Sequence, residues 1–373
     1  MGKKITVLAI LLMLAVLAVF GYVLIPGVRE KAASYTEEDF KEDNIYTDIS
    51  DVSERLQEEI EKGSDSFVVY IKDMAIEDLS ELNSPLDGIW GSGSSYQQIG
   101  RVGDNYKKIK ITIEKSSNYY AVQAYLQGTP IPESDERAKR LYDVIVKIMS
   151  SFVTAEMSDY EKEVALHDYL VRHCTYSEAE DWPSESDVFR AYGALVNGEA
   201  VCNGYAEALQ ILFTCAGISS KFVIGMAGDV EHAWNLVELD GKWYHLDATW
   251  DDPLPDQGET VIHTYVNLSD EEISVAHTWN REDYPKAESE DMNYYRKTNT
   301  YFQSFEEYKE QAYDALIRNG QQYYEAAVVT EPVQDADMQF LFEGESVYNS
   351  ASWKCYDESG YKVLIVGVGN EGY

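Results

Sequence analysis

Hydrophobic spacing divides the chain into helical and extended stretches. Leu141, Ile145, Ile148, Met149 and Phe152 recur at intervals of three and four and predict one helix. A second opens with Ser158-Asp159-Tyr160-Glu161, a capping-box pattern in which the hydroxyl and the carboxylate each satisfy a backbone N–H. It continues through Val164, His167 and Leu170 to Cys174, and the mid-helix His167 reads as a packing or hydrogen-bonding residue rather than a ligand. A third begins at Cys202, with Tyr205, Leu209, Leu212, Phe213 and Ala216 on one face and Gly217 as the stop. The period then changes to that of strands, at Lys221 to Met226 and His232 to Leu239. The second strand runs into Asp240-Gly241, a two-residue hairpin signal. With those two in the turn, Leu239 pairs with Lys242, and opposed residues have numbers summing to 481.

The flanks carry weaker patterns. Towards the N-terminus a helix is expected around Val52 to Lys62, a strand at Phe67 to Ile71, and two alternating runs at Lys107 to Glu114 and Tyr119 to Leu126. Gly91 to Ser95, Gly-Ser-Gly-Ser-Ser, reads as a loop. Towards the C-terminus come a helix at Phe305 to Arg318, a Gly320 stop, and strands at Tyr323 to Val329 and Tyr361 to Val368. Helix, glycine, strand therefore occurs near both ends, at Gly63 and at Gly320, which suggests a distant repeat. The expected domains are an anchor at 1–27, an acidic linker at 28–44, an N-terminal α/β module at 45–132, a catalytic domain at 133–290 and a C-terminal α/β module at 300–373.

Ile5 to Ile25 is an apolar and small-residue run of 21 residues, preceded by Lys3 and Lys4 and closed by Pro26-Gly27. That is long enough to span a bilayer, and the flanking lysines place the N-terminus inside and the remainder outside the cell. A cleavable signal peptide has a shorter apolar core and a small-residue cleavage site, which is not evident here. The chain has 66 acidic against 30 basic residues, a formal net charge of −36. Such a surface repels nucleic acid, so DNA and RNA are excluded as partners. Four cysteines are too few for a disulfide framework; a Cys174–Cys215 pair is open, and Cys202 is expected to be free.

Cys202 becomes the focus once its position is considered. At a helix start, unpaired N–H groups and the positive end of the dipole favour the thiolate, and the same N–H groups suit an oxyanion. Gly204, one turn on, is expected to let a substrate backbone approach. The 481 register puts Asp247 opposite Trp234 and makes His232 its diagonal neighbour on the same sheet face, within imidazole-to-carboxylate reach. His245 lies on that face too and is the rival base. A thiol, an imidazole and a carboxylate are the parts of a nucleophilic acyl-transfer site. Cysteine, histidine and aspartate are also zinc-ligand types, but no paired C-x-x-C and no H-E-x-x-H occurs.

The block from about Ala191 to Pro253 resembles the core of the transglutaminase-like superfamily. The matching motifs are Gly198 through Ala206, His232-Ala233-Trp234-Asn235, and Trp243 through Pro253 with its Asp247-Ala248-Thr249-Trp250-Asp251-Asp252-Pro253 ending. The resemblance implies a papain-like α+β core and a triad of Cys202, His232 and Asp247. Relatives commonly carry Gln after the cysteine, where this chain has Asn203, a departure that bears on substrate fit. Asn203 and Tyr192 are candidates for a second oxyanion donor by proximity alone. The expectation is therefore cysteine acyl transfer on a peptide or protein amide outside the cell, leaning to hydrolysis, with no cofactor and no metal. The partners expected are a peptide or protein substrate, with the cell envelope as one source, and the membrane. A crosslinking transglutaminase and a catalytically idle cell-envelope binding module are the alternatives.

Overall fold

A computed structural model describes residues 44–79, 91–102, 106–179, 182–183, 186–252, 261–329, 333–334, 336–342, 350–357 and 361–369. The Ile5 to Ile25 run and nearly all of the acidic linker lie outside these residues. Among the described residues no helix is long and apolar enough to cross a membrane. The chain forms two compact units, divided at Glu114/Lys115.

The first unit is built from β1 (Ile45–Tyr46), α1 (Ile49–Glu61), β2 (Ser66–Lys72), β3 (Gly91–Val102) and β4 (Tyr106–Lys115), which begins the crossing into the second unit. Asp48 caps α1 by accepting from the Ser50 N–H, and Val52, Leu56 and Ile60 are its buried stripe. Gly63 then takes φ +73°, a left-handed conformation that ends the helix and turns the chain into β2. The sheet order is β1-β2-β4-β3. The Gly-Ser-Gly-Ser-Ser stretch, expected to be a loop, is instead the start of β3, because the ladder beside β4 supplies partners that local composition does not advertise.

The second unit opens with α2 (Ser117–Gln127), α3 (Glu136–Phe152) and α4 (Asp159–His173), followed by short strands β5 (Thr175–Tyr176) and β6 (Glu199–Ala200) and then α5 (Cys202–Ala216). The Tyr119 to Leu126 run, expected to be a strand, is helical: Ser116 caps it through the Tyr119 N–H, and Gly128 stops it at φ +69°. Its buried Asn118, Ala121 and Val122 fall at helical spacing, and Tyr125 packs against the same core. Both hydrogen bonds of the Ser158/Glu161 capping box on α4 are present.

Helix α5 is buried from Gly204 through Phe213, as an apolar-all-round helix must be, and Gly217 ends it at φ +79°. Against it packs an antiparallel sheet of order β10-β9-β8-β7-β11, made of β7 (Ser220–Ala227), β8 (Val230–Leu239), β9 (Lys242–Leu246), β10 (Val266–Leu268) and β11 (His277–Trp279). Asp240 and Gly241 both take positive φ, +49° and +76°, which matches the right-handed twist of the flanking strands. The β8–β9 pairs run from Leu239↔Lys242 to Asn235↔Leu246, the register expected. Val237, Leu239, Tyr244 and Leu246 join the core with α5, while Trp234, Leu236 and Val223 join a separate cluster with Tyr265, Leu268 and Ile273.

The same unit ends in a sheet of order β12-β13-β15-β14, from β12 (Tyr301–Phe302), α6 (Phe305–Tyr313, continued by a π turn to Arg318), β13 (Tyr323–Val328), β14 (Ser350–Asp357) and β15 (Lys362–Gly369). A two-residue strand parallel to its neighbour, a helix, a left-handed glycine, then an antiparallel pairing repeats the topology of the first unit. One face of this sheet packs on α6 through Ala326, Leu364 and Val366; the other places Ala327, Val363 and Ile365 against Ile262 and Tyr295. The C-terminal sheet is thus fastened to the central body rather than standing apart.

Candidate active site

Cys202 is the first residue of α5, after an extended Val201 that makes no side-chain cap. The helix starts there because Val201 turns out of β6; the Gly204 N–H closes back on the Val201 carbonyl at 2.9 Å, so the first-turn N–H groups of Cys202 and Asn203 are those that a helix start leaves without an intrahelical acceptor. The Cys202 thiol is half-buried and outside any disulfide; Cys174 and Cys215 are buried and also reduced, so the Cys174–Cys215 pairing does not form. Burial pushes the Cys174 and Cys215 thiols up to about 12, which makes them inert near neutrality.

Cys202, Asn203 and His232 line one cleft of about 740 Å³, with Phe189, Val201, Ile224, Met226 and Trp279 as its apolar walls and Glu231 on its border. His232 Nε2 is 2.7 Å from Asp247 Oδ2, both residues buried. His232 shares the cleft with Cys202, whose thiol lies 3.8 Å from Asn203 Oδ1 and contributes to the state of the ring. Burial works to lower the His232 pKa, but the Asp247 charge and hydrogen bond, helped by Cys202, lift it to about 10. Burial works to raise Asp247, yet His232 and then His277 hold it well below the usual carboxylate range. The structure therefore brings together all three residues expected from the sequence.

Sequence reasoning missed a fourth group. His277, fully buried on edge strand β11, points Nε2 at the same Asp247 Oδ2 from 3.0 Å. Asp247 Oδ1 meanwhile accepts from the Thr249 and Trp250 N–H groups, so both carboxylate oxygens are engaged. His277 comes into place because β11 pairs with β7, His277 opposite Ala227, and no local signal marks so short a strand. Gly225 permits this packing: a Cβ there would lie 2.2 Å from the Thr278 carbonyl and 2.7 Å from the Trp234 ring.

Tyr176 was also missed. The β5–β6 bridge sets it opposite Ala200, two residues before the thiol. Burial, then the negative charges of Cys202 and Asp247, raise its hydroxyl, which stays protonated and able to donate.

Three expectations are corrected. Gly204 does not open a path for substrate; it faces inward, where a Cβ would lie 2.6 Å from the Val188 carbonyl and 2.7 Å from the Ala200 Cβ. Tyr192 is buried under the Arg137 guanidinium, 4.0 Å from its ring centre, and does not line the cleft. His245 has both ring nitrogens occupied, Nδ1 by the Trp234 indole N–H at 2.9 Å and Nε2 by Asp270 at 2.9 Å.

Residues 146–248 match the model of the transglutaminase-like superfamily. The chain carries a transglutaminase-like domain. Its architecture is the α+β, papain-like one of that superfamily. Human kyphoscoliosis peptidase is 24% identical over 143 residues, covering 35% of this chain and 21% of that protein. The mouse protein of the same name is 25% identical over 122 residues, covering 30% and 18%. The chain thus spans about a fifth of the length of these relatives. Among solved structures, a crystallised TGase covers 49% of this chain and 50% of its own at 18% identity with a TM-score of 0.28. The periplasmic domain of TgpA from Pseudomonas aeruginosa covers 46% and 68% at 13% identity with a TM-score of 0.25.

Proposed function

We propose that the transglutaminase-like domain is a cysteine acyl-transfer enzyme acting on peptide or protein amides, with hydrolysis as its main outcome. The observation that carries this reading is the alignment of a free thiol at a helix N-terminus, an imidazole lifted to about 10, and a buried carboxylate that orients it, at one cleft. In the mechanism, the Cys202 thiol gives its proton to His232, and the resulting thiolate Sγ attacks the amide carbonyl and forms the tetrahedral intermediate. Its oxygen is met by first-turn N–H groups of α5, with Asn203 beside them in the cleft wall. The His232 imidazolium gives its proton to the leaving amine, leaving a thioester on Cys202. Neutral His232 then takes a proton from water as it attacks, and thiol and imidazole are restored. Asp247 stays ionised throughout and holds the ring tautomer.

An amine in place of water gives crosslinking through the same steps. The lean to water rests on the chemistry, since crosslinking also requires a second site to hold an amine. The name of the curated relatives, a peptidase, is in keeping with this reading. We propose further, from the length and apolar character of the Ile5 to Ile25 run, that the reaction takes place outside the cell on a single-pass anchor. Incubating the protein with an activated ester, with and without a small primary amine, tests both points. Hydrolysis that continues in the presence of amine is expected; release by amine alone would make the enzyme a transglutaminase. A membrane-impermeant thiol reagent should label Cys202 on intact cells, and protection until lysis would overturn the topology.

A further inference from the structure

A second carboxylate–imidazole cluster lies in the same unit, outside the cleft. Asp168 Oδ1 is 3.2 Å from His167 Nδ1 and 3.0 Å from His263 Nε2, and the three atoms lie within 4.8 Å of one another. Two of these residues come from α4, the third from the segment leading into β10. We propose that Asp168 Oδ1, His167 Nδ1 and His263 Nε2 form a binding site for a zinc-class divalent metal ion.

The spacing fits. Zinc bonds to imidazole and carboxylate of about 2.0–2.2 Å in a tetrahedron set neighbouring ligand atoms about 3.3 Å apart, close to the two distances found. The surroundings fit better still. Metal-bound imidazoles commonly turn their far nitrogen to a carboxylate, which fixes the ring and strengthens the ligand. Here His263 Nδ1 is 2.9 Å from Glu325, and His167 Nε2 is 3.2 Å from Asp251. His167 Nε2 and Asp251 Oδ2 are fully buried, within ion-pair distance, and without a hydrogen-bond partner among the described residues. Tyr294 stacks on the His263 ring at 3.8 Å and 4°, holding its plane. Arg172 takes Asp168 Oδ2 at 3.1 Å and leaves Oδ1 to the imidazoles. Asp168 keeps 18% of its side chain exposed, so a fourth position faces solvent.

Charge points the same way. Three carboxylates, Asp168, Asp251 and Glu325, and one guanidinium, Arg172, surround two imidazoles. With neutral rings the cluster is short of two positive charges, which either two protons or one divalent ion supplies. The ion would clip α4 and the segment before β10 to each other, with β13 held behind them through Glu325.

The cluster at Asp247 is the control. Its His232 contact of 2.7 Å is a charge-assisted hydrogen bond too short for a metal edge, and the His277 far nitrogen has no hydrogen-bond partner. The test is titration of the full chain, purified in detergent and stripped by chelator, with Zn2+ alone. One zinc per chain is expected at pH 7.5, with release of up to two protons and a rise in unfolding temperature. Binding should persist in Cys202→Ala and His277→Gln, weaken at least about a hundredfold in Asp168→Asn, and weaken about tenfold to a hundredfold in Glu325→Gln. Co2+ in place of zinc should give tetrahedral bands without a sulfur-to-cobalt charge-transfer band, a readout on the unmutated protein that does not depend on whether the variants fold. No zinc bound at micromolar concentration, loss of binding in Cys202→Ala or His277→Gln, or a sulfur-to-cobalt band would each overturn the proposal.

Discussion

Two clusters in the second unit share one motif, a carboxylate oxygen facing two imidazoles: Asp247 with His232 and His277, and Asp168 with His167 and His263. What separates them is the far side of the rings. At Asp247 one ring shares an open cleft with a thiol, so its proton has somewhere to go. At Asp168 both rings turn their far nitrogens to buried carboxylates, Glu325 and Asp251. On the proposals above, the same residue types would serve proton transfer in one place and fastening in the other, with second-layer partners deciding which.

The largest expected effect breaks the first cluster at its nucleophile. Cys202→Ala should abolish turnover, leaving fold and unfolding midpoint unchanged, as measured by ester hydrolysis and denaturant titration. Asp247→Asn should lower kcat by roughly a thousandfold to ten-thousandfold, because the imidazole loses its tautomer. Asp168→Asn in metal-free protein should act on stability instead, costing about 3–5 kcal/mol by leaving buried imidazoles without their counter-charge, read from the urea midpoint. Equal losses of activity from the two substitutions would erase the distinction.

A smaller change tests His277 as a positioning residue. His277→Gln should lower kcat about tenfold with KM little altered. It should also move the alkaline limb of the pH profile upward, since Asp247 would then answer to His232 alone; a merely structural role would leave that limb in place. His245→Ala should cost stability and be milder on turnover than Asp247→Ala, because its nitrogens serve Trp234 and Asp270. Finding His245 essential and His232 dispensable would show that the base is misassigned.

The weakest but broadest effect is the response to pH. The His232 and His263 pKa values are raised from 6.5 to about 10, so their stabilisation is full below about pH 6.5 and is lost as pH rises through about 10. Asp247 and Asp168 are held below their ordinary 3.8, so theirs is present above that pH and lost on strong acidification. Unfolding midpoints should therefore fall at both extremes. Activity should show an alkaline limb near pH 10 that follows His232 alone, since His263 does not face the cleft.

The hairpin shows how much of this was legible beforehand. Asp240-Gly241 determines a turn, the turn determines a register, and the register puts His232 beside Asp247 before any coordinates are known. Helix α5 was equally legible, since caps and a 3.6-residue period are local. The weakly held repeat also has a counterpart, in two sheets of identical strand order. What could not be read came from pairing at a distance. His277 depends on a three-residue edge strand, and His263 meets Asp168 across 95 residues. Gly91 to Ser95 takes its conformation from a neighbouring strand, and Gly204 its purpose from the Val188 carbonyl. Tyr119 to Leu126 failed differently: a short run rich in tyrosine and apolar residues imitated a strand, and the Ser116 and Gly128 caps make it a helix.

The most direct test of the acyl-transfer account is intact-protein mass spectrometry after mixing with an activated ester and quenching in acid. The account predicts a single added acyl mass on a peptide containing Cys202, lost with time in water, formed far more slowly in His232→Ala and absent in Cys202→Ala. An unmodified Cys202, or acylation no faster there than at Cys355, would contradict it and leave the domain as a binding module of the cell envelope.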